Sequence, residues 1–202
     1  MAGNREFANR RLHSLLGVIP VGVFLIQHLV VNSYGLRGED AFNKAAHFMG
    51  NLPFRLLLET AIIYLPLLYH AVYGIYIAFT AKNNVGRYGY FRNWMFMLQR
   101  VTGIITLIFV VWHLWETRIQ AAFGTHVDFQ MMENILSNPL MLWFYIIGIV
   151  STTFHFANGL WSFAVSWGIT VSPKSQRIST YVTLVIFVAL SALGVSTILA
   201  FA

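Results

Sequence analysis

Five mainly apolar stretches, separated by short segments that hold nearly every charge, run the length of this 202-residue chain. A helix needs about 20 apolar residues to cross a hydrocarbon layer of roughly 30 Å. Read as the gaps between charges, the stretches predict five spanning helices at about 12–33, 56–80, 94–115, 139–167 and 179–202. Pro20 and Pro66 lie inside the first two without vetoing them, because neighbouring helices can satisfy the backbone groups that a proline frees. The first stretch is too long for a signal-peptide core and lacks an acceptable cleavage site. The pattern is that of an all-α integral membrane bundle, one domain over 1–202, with long loops at 34–55 and 116–138. Either loop has room for a short interfacial helix, and in the first Phe42, Ala46 and Met49 recur at helical spacing.

Loop charges orient the bundle. With the N-terminus inside, the inner segments carry Arg5, Arg10, Arg11, Lys82, Arg87, Arg92, Arg100, Lys174 and Arg177, and the outer ones only Arg37, Lys44, Arg55 and Arg118. By the positive-inside rule the N-terminus is cytoplasmic and the C-terminus outside, in a multi-pass protein of the cytoplasmic membrane.

Composition removes whole classes of function. Hydrophobic residues are 57% and charged residues 10%, against roughly 25% charged in an average globular chain, so a disordered or nucleic-acid-coating chain is excluded. There is no cysteine, hence no disulfide, thiolate metal site, iron–sulfur cluster or covalently attached c-type haem held by this chain. Seven histidines remain as the metal-binding resource.

Four of them, His28, His70, His113 and His155, each fall inside a different predicted span. Ionisable groups at membrane depth are costly, which makes a functional reading the default. His28 and His113 are 85 positions apart, and so are His70 and His155. After the second pair the residues repeat too: His70-x-x-x-Gly74 and His155-x-x-x-Gly159, each followed by an aliphatic and an aromatic residue. The chain reads as a two-helix unit used twice plus a fifth helix. At 1.5 Å per residue, His28 and His113 lie roughly 5–8 Å from the outer ends and His70 and His155 roughly 22–24 Å, giving two levels about 15 Å apart.

Two imidazoles at one depth on facing helices can grip haem iron from both sides, with the porphyrin between helices. Zinc and copper fit less well, since each level offers two imidazoles and no thiolate or carboxylate. Gly74 and Gly159, one turn past a ligand, either let the macrocycle approach or serve ordinary small-residue helix packing. Iron with both axial positions filled by protein has no open site, so such centres pass electrons. Arg10, Arg11, His13, Ser14 and Arg100 near the inner level, and Arg37, Arg55 and Arg118 near the outer one, are available to haem propionates or are simply snorkelling at helix ends. His13, His47 and His126 read as surface or interfacial. Glu59, one turn into the second span, either serves protons at a quinone site near the outer haem or pairs with Arg55 at i−4. A reading of another class is a transporter or proton channel in which the histidines relay protons.

The segments RRLHSLLG, LIQHLVVN, LYHAVYGIYIAF, LQRVTGIITLIFVVWHLWETR and STTFHFANGLWSFAVSWGITVSPKSQRIS make a family visible. The chain resembles, over essentially its whole length, the cytochrome b-558 family of dihaem membrane anchors in Gram-positive-type succinate:menaquinone oxidoreductases. The resemblance implies five membrane helices and two b haems. His70 and His155 match the ligands of a high-potential haem near the cytoplasm, and His28 and His113 those of a low-potential haem near the outside. It also implies a flavoprotein carrying FAD and an iron–sulfur subunit on the cytoplasmic side. Electrons from succinate then pass through the inner and outer haems to menaquinone. The missing cysteines and nucleotide-binding loop agree that succinate oxidation belongs to partners. Anchors of fumarate reductases, or of other dehydrogenases such as hydrogenases, keep the haems and change the partners. Some of those fumarate reductases carry a proton-handling glutamate two residues before the last ligand, where this chain has Thr153.

Overall fold

The computed structural model of the chain describes residues 2–82 and 84–202, and among them it contains helices and no strand. Five helical spans, Asn4–Arg37, Arg55–Thr80, Phe91–Ala122, Pro139–Ser166 and Pro173–Leu199, are long and apolar enough to cross a membrane. The face that carries the N-terminus is termed inner, and the opposite one outer.

Each expected helix is present, and its ends differ where polar turns continue the helix beyond the apolar stretch. The first helix begins at Ala2 instead of about 12. Nothing in 2–11 breaks a helix, and Glu6 pairs with Arg10 one turn on at 2.8 Å. The fifth begins at Pro173 instead of about 179, because Ser172 and Ser175 form a reciprocal capping box. Pro173 takes the first-turn position, where its missing N–H costs nothing. The fourth starts where expected, with the Asn138 side chain accepting from the Leu140 N–H at 2.9 Å.

Three irregularities interrupt the regular α-helix of the spans. The first is interrupted at Ile19, between Val18 and Pro20. The second widens into a π turn over Glu59–Tyr64, just before Pro66, whose ring crowds the preceding turn and whose nitrogen donates nothing. The third widens over Trp115–Ile119, directly after His113.

Both long loops do carry short helices. Glu39–Gly50 turns Phe42 inward, and Phe129–Leu136 buries Met132 and Leu136. The Phe129 N–H donates to Asn43 Oδ1 at 2.8 Å, linking them, and both pack on Phe201 with ring centroids 5.0 and 4.7 Å away. These helices roof the outer end of the bundle.

The fourth span is the central element, packed along its length on the third and fifth and also touched by the first. Small residues permit the close approach: a side chain at Gly148 would run into the Phe109 ring, and one at Gly194 would lie 2.6 Å from Ile149 Cγ2. Thr153, fully buried, shares a 2.7 Å hydrogen bond with Ser191 across the fourth and fifth spans. The outward faces stay apolar and uncovered, with Val23, Leu68, Val111, Trp143 and Val185 among the exposed residues, as lipid contact requires.

Replacing Gly148 with valine forces two large groups into one site at the third–fourth helix crossing. The expected cost is about 1–3 kcal/mol, read as a lower melting temperature of the detergent-solubilised protein, with Gly89→Ala, in a loop where a Cβ would meet nothing within 4 Å, as the comparison that leaves packing untouched.

Candidate functional site

The four intramembrane histidines meet as two pairs. His28, near the end of helix Pro20–Asn32, faces His113, near the end of Phe91–Leu114, with ring centroids 5.8 Å apart and ring planes at 75°. His70, on Leu65–Thr80, faces His155, on Pro139–Ser166, at 6.1 Å and 84°. A metal held at about 2 Å by one nitrogen of each ring sets two imidazole centroids roughly 6 Å apart. Both spacings fit.

The ring nitrogens decide what each pair can do. A neutral imidazole has one N–H and one lone pair, and hydrogen bonding at one nitrogen assigns the other to a metal. His70 Nδ1 lies 2.9 Å from the backbone oxygen of His13, and His155 Nδ1 lies 2.9 Å from that of Gln99. Each carbonyl can only accept, so each Nδ1 carries the proton and each Nε2 keeps its lone pair. His113 Nδ1 lies 3.3 Å from the Tyr145 hydroxyl, which donates to Glu116 Oε2 at 3.0 Å. His28 Nδ1 has the Asn32 amide 3.4 Å away. Phe109 stacks on His113, and Phe24 leans on His28.

Two glycines make the inner bonds possible. A side chain at Gly17 would collide with the His70 ring, and a Cβ at Gly103 would lie 2.9 Å from His155 Cε1. In an α-helix the carbonyl of residue i sits beneath residue i+4. Gly17 is four past His13 and Gly103 four past Gln99, so each glycine opens the window through which an imidazole from the next helix reaches that carbonyl. Gly74 and Gly159 are windows of the same kind: a Cβ there would be 3.2 Å from His13 Cε1 or 3.4 Å from Gln99 Nε2. Gln99 uses its window to donate to the His155 carbonyl at 3.0 Å, and Asn158 donates to Gln99 Oε1 at 2.7 Å. The two predicted glycines therefore face the residues that brace the histidines. At the outer level no glycine stands at i+4; Asn32 and Thr117 there cap the His28 and His113 carbonyls at 2.7 and 2.6 Å.

Gly17 and Gly103 complete the internal repeat. His13-x-x-x-Gly17 matches Gln99-x-x-x-Gly103 as His70-x-x-x-Gly74 matches His155-x-x-x-Gly159. From these glycines to the outer histidines is eleven residues in the first span and ten in the third, roughly 15–16 Å of helix. The extra residue falls in the stretch that holds the Ile19 interruption.

His13 corrects the expectation that it lies at the surface. It stacks on His70 with centroids 4.0 Å apart and planes within 8°, because the helix starts three turns before it and carries it into the bundle. His47 and His126 are exposed in the outer segments, as expected. At the inner level two nitrogens, His13 Nδ1 and Arg100 Nε, are buried without a hydrogen-bond partner. Arg100 also donates to the Phe96 carbonyl and lies over the Phe96 ring, Arg10 has Glu6, Arg11 lies over Phe7 and Trp167, and Arg37 lies over Tyr34.

Glu59 pairs with Arg55 at i−4, as one reading held, at 2.7 Å, and also with Arg118 of the third span at 2.9 Å. Tyr64 donates to the same carboxylate at 3.3 Å. The cluster joins the two widened turns, and the Glu59–Tyr64 turn packs on the helix that carries His28. Thr153 bonds the Ile149 carbonyl and Ser191, so its hydroxyl is absorbed in helix packing.

Among the described residues no three of His, Cys, Asp and Glu converge on a point, so each histidine pair offers two donors and no third. That donor set, with Nε2 left free by the hydrogen bonds of His70, His155 and His113, suits a group that brings its own equatorial ligands.

Residues 81–194 match the family described as succinate dehydrogenase/fumarate reductase transmembrane subunit. The chain is also 73% identical over 201 residues, the full length of both proteins, to the succinate dehydrogenase cytochrome b558 subunit of Bacillus subtilis (strain 168). Five membrane helices, the match over more than half the chain and identity of this extent establish that the chain belongs to the succinate dehydrogenase/fumarate reductase transmembrane subunit family, as a subunit lodged in the cell membrane.

Proposed function

We propose that the chain holds two b haems, the inner between His70 and His155 and the outer between His28 and His113. It thereby carries electrons from cytoplasmic flavoprotein and iron–sulfur partners to menaquinone. The observation that carries this reading is the pairing of four imidazoles at about 6 Å with the Nδ1 of three of them bonded to an acceptor. The Bacillus subtilis relative, a cytochrome b558 subunit of succinate dehydrogenase, supports it.

Haem held by these histidine pairs would supply reversible one-electron exchange. The residues supply the rest. Carbonyls 13 and 99 fix the tautomer and the direction of the inner ligands. His13 and Arg100, with buried nitrogens unpartnered, would receive the propionates of the inner group. The levels are roughly 15 Å apart along the helices, a spacing that suits electron passage from one face to the other. The excess of Lys and Arg in the N-terminal, 81–90 and 168–178 segments supports a cytoplasmic partner-binding face. Quinone would be met at the outer side near His28, with Glu59 as the nearby carboxylate. With both its oxygens engaged by arginines, Glu59 acts there by holding the second and third spans together before it acts on protons. Succinate oxidation has no site in this chain and falls to the partners. A fumarate reductase anchor is the second reading, since the family description covers both enzymes.

Purified with its partners, the protein is expected to show a reduced b-type spectrum and two haems per chain by pyridine haemochrome assay. His70→Leu and His155→Leu each lower that to one and spare the outer component. A folded, colourless preparation overturns the reading. Gly17→Val and Gly103→Val, which close the carbonyl windows without touching a ligand, are expected to lose the inner haem selectively in the same assay.

A further inference from the structure

The two pairs differ in what their Nδ1–H groups reach. At the inner pair both go to neutral backbone amides. At the outer pair His113 reaches the Tyr145 hydroxyl, and Tyr145 donates onward to the Glu116 carboxylate. With Nε2 on iron, His113 has only an N–H to offer at Nδ1, and a carboxylate can only accept, so the direction along His113, Tyr145 and Glu116 is fixed. Tyr145 is 2% exposed on the central fourth span, so its hydroxyl is held by packing. Glu116 lies in the widened turn Trp115–Ile119, half-buried, and no salt bridge reaches it among the described residues. Glu59, by contrast, is matched by two arginines. The outer level thus has an uncompensated carboxylate wired to a ligand, and the inner level has none.

A ligand whose N–H leans toward a carboxylate is a stronger donor, and negative charge nearby favours ferric over ferrous iron. We infer that Glu116 and Tyr145 are positioning residues that make His113 the most electron-rich of the four ligands and hold the outer haem at the lower potential of the two. This rests on the two-haem reading. It assigns the difference between the centres to one hydrogen-bond chain, since the ligand type and the ring spacings are nearly alike.

The test is an optical redox titration of the purified complex for wild type, Glu116→Gln and Tyr145→Phe, with the EPR spectrum of the ferric outer haem as a second readout. Glu116→Gln removes the charge without altering core volume, so it remains informative where Tyr145→Phe disturbs folding. Both variants are expected to raise the midpoint of the low-potential component, leave the high-potential one in place and shift only the outer ferric signal. An unmoved low-potential midpoint in Glu116→Gln, or equal displacement of both midpoints, overturns the inference and leaves the two-haem reading standing. A wild-type titration with fewer than two components overturns that reading itself.

Discussion

A neutral imidazole inside a bilayer must satisfy one N–H and one lone pair without water. The rest of this structure follows from how that is done. An α-helix already uses its carbonyls internally, so an imidazole from a neighbouring helix can share one only where the residue above it leaves space. Gly17 and Gly103 provide that space, and with it two helix–helix contacts close enough to fix both inner rings. Once Nδ1 is committed, Nε2 keeps its lone pair, and the facing inner rings suit a metal without any acidic or thiolate ligand.

The five spans were legible because charge is so scarce that its positions outline the helices. The histidine pairs were legible because equal spacing of 85 residues and equal depth coincide. Helix ends were not, since 2–11 and 173–178 are polar yet unbroken, the latter capped by Ser172, and hydropathy alone says nothing about turns that stand in water. The bracing carbonyls were hidden for a deeper reason: any residue offers a carbonyl, so the partner's identity carries no signal. What does carry one is the glycine four residues later. His13 and Gln99 share that glycine and share a place in the repeat, and the pattern is visible in the sequence once it is known to mark a window. Tyr145 and Glu116 had no such mark, because their contact depends on the widened turn after His113, which no local preference announces.

The repeat also explains why the fourth span is central. In a pair of two-helix units, the inner histidine of one unit faces its counterpart in the other, and His155 sits on the helix that also meets the third span through Gly148 and the fifth through Thr153. The fifth helix has no counterpart in the repeat. Its contribution is to cover the remaining face of the fourth and to place Phe201 beneath the outer roof. Without it, the span that carries His155 and Tyr145 would present Thr153 to lipid, an unfavourable exposure for a polar group in hydrocarbon.

Duplication of a unit tends to produce two equivalent centres, and an electron path between equivalent centres has no built-in slope. Asymmetry must come from the few residues that break the repeat near the rings. At the inner level the break is His13 against Gln99: the amide satisfies its own hydrogen bonds, and the imidazole leaves a nitrogen unpartnered beside His70. At the outer level it is Tyr145 and Glu116 beside His113 against Asn32 beside His28. Both departures lie outside the ligand set and leave the ring spacings nearly equal. The fold therefore separates two tasks: the repeated glycines and histidines fix where the centres are, and the unrepeated polar side chains decide how they differ.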